Sequence, residues 1–315
     1  MVAIIFPGQG SQRPGMGREF VEQFPVARQV FDDVSEASGI DTHALCFETD
    51  EDTLRRTDNA QLALFVCGVA AYRVLRQCVP DLPVKAFAGH SVGEYAALVA
   101  SGALNLADGA RLIIRRGDLM NRSGKLRAGT MAAVLGMSRE DLEQVCREST
   151  AETTVVVAND NCPGQLVISG DLDAVQRATA LASERGAKRV LPLNVAGAFH
   201  SPLMNDSASA MGEALRLVTF HHGEAPVYAN VTAGPVATPD AWPSLLESQL
   251  SSPVRWTESV QSMVADGVRL FLECGSGEVL SGLVKRTDKS VRAMPVVDSV
   301  TMETARVALA EEVLA

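Results

Sequence analysis

Val84-Lys85-Ala86-Phe87-Ala88-Gly89-His90-Ser91-Val92-Gly93-Glu94-Tyr95-Ala96-Ala97 is the stretch that decides the fold. Val84 to Ala88 is a short apolar run, the pattern of a strand buried on both faces of a parallel sheet. Gly89-His90-Ser91-Val92-Gly93 matches G-x-S-x-G, whose glycines permit a sharp strand-to-helix turn. Glu94 to Ser101 reads as an alanine-rich helix. Strand, turn and buried helix together give an α/β architecture. The N-terminus repeats the pattern, with Val2-Ala3-Ile4-Ile5-Phe6 running into Pro7-Gly8. Leu62 to Tyr72 reads as a buried helix, too short to span a bilayer. A further helix runs from Leu106 to about Arg122, apolar at Leu112, Ile113, Leu119 and Met120, with Gly124 as its expected stop.

The middle of the chain has a different rhythm. Thr130 to Gly136 predicts a strand, Ser138 to Ser149 a helix and Thr154 to Ala158 a strand. Asn159 to Gly164 reads as a turn-rich loop, Gln165 to Ser169 as a strand, Leu172 to Arg185 as a helix and Lys188 to Leu193 as a strand. Ser138 with Asp141 three residues on marks a helix start. The order βαββαβ is the split-βαβ or ferredoxin-like unit. It is expected over residues 127–195, inserted into a large domain made of residues 1–126 and 196–315. In the second part, strands are expected over Pro226–Ala229, Arg269–Leu272 and Met294–Val297. Helices are expected over Met204–Leu217, Ala241–Leu250, Trp256–Asp266 and Gly277–Lys285. Two chain crossings, near 126 and 195, predict a cleft between the units, a preferred place for small ligands.

Composition agrees with such a chain. Its 315 residues suit two domains or one with an insertion, at roughly 100–200 residues each, and 47% hydrophobic residues provide an ample core. Lys+Arg 28 against Asp+Glu 38 leaves a net charge of −10, the wrong sign for a dedicated nucleic-acid binder or an anionic membrane surface. The six cysteines show no C-x-x-C spacing and no His at ligand spacing, so no metal is expected. Free cysteines and the lack of a signal-peptide pattern point to the cytoplasm.

The elbow presents Ser91 as a nucleophile, with the helix N-terminus behind it and the Val92 N–H placed for an oxyanion hole. A serine hydroxyl needs a base. Of the five histidines, His43 falls in a helical surface stretch and His221-His222 in a polar turn. His90 is expected to point away from the elbow. His200, in Ala196-Gly197-Ala198-Phe199-His200-Ser201-Pro202, falls where the chain re-enters the large domain, and is the expected base.

These residues carry a resemblance. Phe6-Pro7-Gly8-Gln9-Gly10-Ser11-Gln12, the elbow with Glu94-Tyr95, Arg116-Gly117 and Ala198-Phe199-His200-Ser201 are similar to the malonyl-CoA:acyl carrier protein transacylase family. Asn159-Asp160-Asn161-Cys162-Pro163-Gly164-Gln165 and Ser252-Pro253-Val254-Arg255-Trp256 fit it too, in order along essentially the whole chain. The resemblance implies an α/β-hydrolase-like large domain with a parallel sheet and a ferredoxin-like insert. It implies Ser91 as acyl acceptor, His200 as base, and the backbone N–H groups of Gln9 and Val92 as the oxyanion hole. Arg116 would bind the malonyl carboxylate, since a guanidinium fork matches it with two hydrogen bonds; its neighbour Arg115 is expected at the surface. Phe199 would favour malonyl over methylmalonyl by filling the space of an α-methyl group. The Gln249 carbonyl would orient His200, with Asn159 and Asn161 among the substrate-binding residues.

The resemblance further implies ping-pong transfer from malonyl-CoA to the phosphopantetheine thiol of an acyl carrier protein, without a cofactor, in fatty acid synthesis. A stand-alone acyltransferase of a polyketide synthase and the transferase subunit of malonate decarboxylase share the motifs. A serine thioesterase or esterase would use the same elbow with water as acceptor. A dead carrier-binding scaffold would lack Ser91 or His200. Carrier proteins are acidic, so a basic patch is needed: Lys188 with Arg189, or Lys285, Arg286, Lys289 and Arg292.

Overall fold

The computed structural model describes residues 1–314 and holds two sheets. Along the chain the strands are β1 (Val2–Phe6), β2 (Val84–Gly89), β3 (Gly129–Leu135), β4 (Val155–Cys162), β5 (Gln165–Asp171), β6 (Arg189–Pro192), β7 (Val227–Ala229), β8 (Gly234–Pro235), β9 (Val254–Arg255), β10 (Leu270–Cys274) and β11 (Arg292–Val296). The first sheet has the order β11-β10-β1-β2-β7-β8. Its first five strands pair in parallel, and β8 closes the edge antiparallel to β7. The second has the order β6-β3-β5-β4-β9, antiparallel except for the β4–β9 pair.

Central β1 shows why its run is unbroken in apolarity. Val2, Ile4 and Phe6 pack into the core under the helix Thr57–Cys78, while Ala3 and Ile5 face a second core with Phe271 and Trp256. With both faces covered, no polar residue has a place on the strand. The second sheet buries one face under the helices Arg139–Ser149 and Leu172–Glu184, whose inward residues are Leu142, Val145, Val175 and Ala178. Ser138 caps the first of these, its hydroxyl accepting the Asp141 N–H at 3.1 Å.

Two expectations are corrected, for Asn159 to Cys162 and for Gly124, and one strand joins the second sheet from elsewhere in the chain. Asn159 to Cys162, read as loop, completes β4. The turn-forming side chains are overridden because β5 pairs on one side and β9 on the other, with register shifts after Val157 and Asp160 absorbing the misfit. The second sheet also takes β9 from residues 254–255, well outside the expected 127–195 unit. Gly124 does not stop its helix, which continues to Leu126. A Cβ there would lie 1.7 Å from the Ala196 carbonyl oxygen, so the glycine serves the close passage of the returning chain. Among the described residues, no helix is long and apolar enough to cross a membrane.

The elbow shows the same constraint more severely. A Cβ on Gly93 would sit 2.2 Å from the Phe6 carbonyl oxygen, because the helix Gly93–Ser101 starts against the end of β1. Alanine is ordinarily better in a helix by about 1 kcal/mol. Here the clash is with backbone that cannot swing aside, so Gly93→Ala should lower the urea midpoint of unfolding. A raised midpoint would show that the elbow has slack.

Candidate active site

Phe6 of β1 and Gly89 of β2 are register partners at the carboxyl end of the parallel sheet, where α/β folds form their crevices. The loop after β1 carries Gln9, and the turn after β2 carries Ser91. Ser91 has φ 52°, a left-handed conformation that a non-glycine residue adopts only when its surroundings force it. Here the force is identifiable. The Ser91 N–H donates to Asn230 Oδ1 at 2.7 Å, and Asn230 Nδ2 donates to the Gly89 carbonyl at 2.7 Å. Asn230, just past the end of β7, thus staples both sides of the turn.

His200 also has a positive φ, 56°. Its N–H bonds the Leu250 carbonyl at 3.1 Å, and its Nδ1–H donates to the Gln249 carbonyl at 2.8 Å. That bond leaves Nε2 as the acceptor, 2.8 Å from Ser91 Oγ. Burial, with the positive charge of Arg116 nearby, lowers the imidazole pKa to about 3 from 6.5. His200 is therefore neutral at neutral pH, the form a base requires.

Arg116 sits on the helix Leu106–Leu126 and is 1% exposed. It donates to Ser91 Oγ at 3.0 Å, Gln249 Oε1 at 2.9 Å and Gln61 Oε1 at 2.7 Å. Its guanidinium carbon lies 5.8 Å from the centroid of the Tyr95 ring. Among the described residues Arg116 has no carboxylate within salt-bridge distance, and its Nε has no partner. Arg115, expected at the surface, is half-buried.

Ser91, His200, Arg116 and Gln61 line a mostly apolar cavity of about 280 Å³, with Gln9, Val92, Phe199, Asn159 and Asn161; Gln249 stands behind its wall. Among the described residues the N–H groups of Gln9 and Val92 donate to no protein acceptor, so both remain available to a ligand oxygen. His90 does not turn away as expected. It lines the cavity and bonds Asn161 Oδ1 at 2.8 Å, because β4 approaches the elbow from the second sheet. Its pKa is lowered by burial. No group of three or more His, Cys, Asp or Glu side chains among the described residues is arranged to hold a metal.

Three further residues were given no role in the site from sequence. Gln61, Asn230 and Glu94 are all buried and all bond to the residues above. Glu94 Oε2 accepts from Gln249 Nε2 at 2.5 Å, and its Oε1 accepts weakly from the Asn230 N–H at 3.4 Å. Burial pushes its carboxyl up to about 8, against the pull of those donors and of Arg116. The one local signal was chemical: a glutamine and a glutamate set among apolar residues of buried helices.

Known proteins resemble this arrangement throughout. A model of the acyl transferase domain matches residues 3–309. A malonyl CoA-acyl carrier protein transacylase of Bacillus subtilis (strain 168) is 43% identical over 314 residues, covering 99% of this chain and 98% of that protein. The solved malonyl-CoA:acyl carrier protein transacylase of Xanthomonas oryzae pv. oryzae superposes with a TM-score of 0.94 at 42% identity, covering 98% of each chain. A malonyl-transacylase solved in complex with its type II PKS acyl-carrier protein gives 0.92 at 37% identity, covering 96% of this chain and 98% of that one.

The low pKa of His200 sets a pH dependence. Protonation removes the acceptor at Nε2, so reaction at Ser91 is lost only as pH falls through the lowered value. Modification of Ser91 by an activated ester should hold its rate as pH falls past 6.5, the ordinary histidine value. A rate already halved at that pH would contradict the burial argument.

Proposed function

The chain belongs to the acyl transferase domain family, and from that premise we propose that it works by ping-pong transfer through an acyl-Ser91 ester. It transfers a malonyl group from malonyl-CoA to acyl carrier protein, in support of fatty acid synthesis. The observation that carries the acyl specificity is Arg116, a buried guanidinium with no carboxylate partner. Leaving a charge so placed is costly unless something completes it. The malonyl carboxylate supplies that anion beside the nucleophile. A thioesterase or esterase has no use for such a cation at its serine.

In the first half-reaction Ser91 Oγ attacks the thioester carbonyl carbon as His200 Nε2 takes the hydroxyl proton. The developing oxyanion is held by the N–H groups of Gln9 and Val92. Collapse expels the CoA thiolate, which receives the proton from His200. In the second half-reaction the phosphopantetheine thiol gives its proton to His200 and attacks the malonyl ester, and Ser91 leaves and is reprotonated. Arg116 also donates to Ser91 Oγ, so it steadies the charge on the oxygen in both directions. Phe199, buried in the cavity wall, leaves no room for an α-methyl branch. Asn159 and Asn161 shape the side formed by β4. The reaction needs no cofactor beyond its two substrates.

The finer architecture follows this reading. Residues 1–126 and 196–315 form an α/β-hydrolase-like large domain and residues 127–195 an inserted ferredoxin-like domain, a description supported by the strand order β6-β3-β5-β4. Six free cysteines fit a cytoplasmic enzyme. For the carrier, the stronger patch is on the helix Val279–Thr287. Leu280 and Leu283 of that helix line the cavity, while Lys285 and Arg286 are exposed and without an ion pair among the described residues. Arg292 is already paired with Glu311 at 2.9 Å. A polyketide carrier is a second reading, favoured by the likeness to the transacylase solved with a type II PKS carrier.

Mass spectrometry after mixing with malonyl-CoA should find a malonyl adduct on Ser91, discharged by carrier protein far faster than by water; an adduct discharged equally by water would make the chain a thioesterase. A charged hydrogen bond contributes about 1.5–3 kcal/mol. Arg116→Ala should therefore cut the malonyl-over-acetyl preference by roughly ten- to a hundredfold, measured as the ratio of acylation rates. Reversing charge with K285E/R286E should slow transfer to the carrier while sparing acylation by malonyl-CoA. Equal slowing of both halves would move the docking surface elsewhere.

A further inference from the structure

Gln249 has two unrelated duties. Its backbone carbonyl holds His200 Nδ1, and its side-chain amide lies between Arg116 and Glu94. An amide has a donor end and an acceptor end, and only one orientation satisfies these neighbours. Arg116 can only donate, so it requires the carbonyl oxygen. The Glu94 oxygen facing Gln249 accepts, and it does so whether the carboxyl is ionised or neutral, since the neutral form keeps a carbonyl acceptor. Gln249 Nε2 also donates to the Ser91 carbonyl at 3.0 Å. Rotating the amide by half a turn would set two donors, Nε2 and the guanidinium, against each other.

We propose that Glu94 is a positioning residue for acyl-group selection: by holding the donor end of the Gln249 amide, it keeps the acceptor end on Arg116 and so fixes the guanidinium at the acyl pocket. The inference rests on the reading of Ser91 and Arg116 given above. Glu94 is 1% exposed, does not line the cavity, and touches no reacting atom. Its shortest hydrogen bond toward the site is the one to Gln249. The helix Gly93–Ser101 places it there: Glu94 follows the elbow directly, so its side chain starts beside the turn that carries Ser91. The weak bond from the Asn230 N–H fixes the other oxygen. Neutral Gln249 bridges the acid and the cation without bringing them into an ion pair, so Arg116 keeps its remaining capacity for an incoming carboxylate.

Glu94→Leu removes the acceptor at nearly the same side-chain volume. Glu94→Ala removes the acceptor too, and keeps the test available should the first variant fold poorly. Acylation of Ser91 by malonyl-CoA and by acetyl-CoA is measured for both variants, for Arg116→Ala and for each double variant. The malonyl-over-acetyl ratio should fall about tenfold in the Glu94 variants, the scale of one charged hydrogen bond. It should fall no further when Glu94 is changed in the Arg116→Ala background, because the effect runs through that guanidinium. An unchanged ratio, an equal loss with both acyl groups, or an undiminished effect without Arg116 would each overturn the proposal. If Arg116→Ala itself leaves the ratio unchanged, the reading of Arg116 fails first, and the two failures are told apart.

Discussion

A guanidinium buried without a counter-carboxylate is the constraint around which the site is organised. Taking such a cation out of water costs several kcal/mol even after relaxation. Arg116 bears that cost on two neutral amides, one hydroxyl and the face of a tyrosine. Those partners come from far apart in the chain. Gln61 lies on the helix Thr57–Cys78, Gln249 ends the helix Trp242–Gln249, and Ser91 stands on the elbow. The packing of these helices over the sheet is therefore also the arrangement of the site. A carboxylate in place of either glutamine would stabilise the cation and compete with the malonyl carboxylate proposed to bind it. Neutral amides orient the group and leave its charge unspent.

Ser91 and His200 follow a related pattern. Two backbone positions, Ser91 and His200, are held in left-handed conformations that L-residues avoid. Each is fixed by hydrogen bonds to backbone or amide groups rather than to acids: Ser91 through Asn230, His200 through the carbonyls of Gln249 and Leu250. A carboxylate on His200 would raise its pKa. With a neutral carbonyl there instead, burial and Arg116 dominate, and the imidazole stays neutral. The same choice of neutral partners thus surrounds both Arg116 and His200.

Much of this was legible in sequence because it is local. The elbow is five consecutive residues between a run that can only be a buried strand and a helix that can only be a buried helix. The order βαββαβ over the middle of the chain could be read from periodicity, and Ser138 declared its cap. What escaped was decided by distance. Asn230 meets Ser91 across 139 positions, and Gln249 meets Glu94 across 155; no local pattern announces such pairs. Asn159-Asp160-Asn161-Cys162 has the composition of a turn and becomes strand only because neighbours on both sides offer hydrogen bonds. Gly124 looked like a helix stop and is instead a point of contact with Ala196. Both mistakes assigned to local conformation what belongs to tertiary packing.

Charge follows the same division between what a composition gives and what a fold arranges. A net −10 opposes any acidic partner at long range. Ionic screening confines that repulsion to about 8–10 Å at ordinary salt, so within contact distance the local pattern prevails. The helix Val279–Thr287 places Leu280 and Leu283 in the cavity wall and exposes Lys285 and Arg286 in its last turn, where cations also suit the helix dipole. Its start is tied to β10 by Glu273, a buried carboxyl accepting the N–H groups of Leu280 and Ser281 at 3.0 and 2.7 Å. One helix thereby joins the cavity wall to the exposed basic surface proposed above for the carrier. On that proposal, a carrier docked at the mouth would meet a helix already braced against β10.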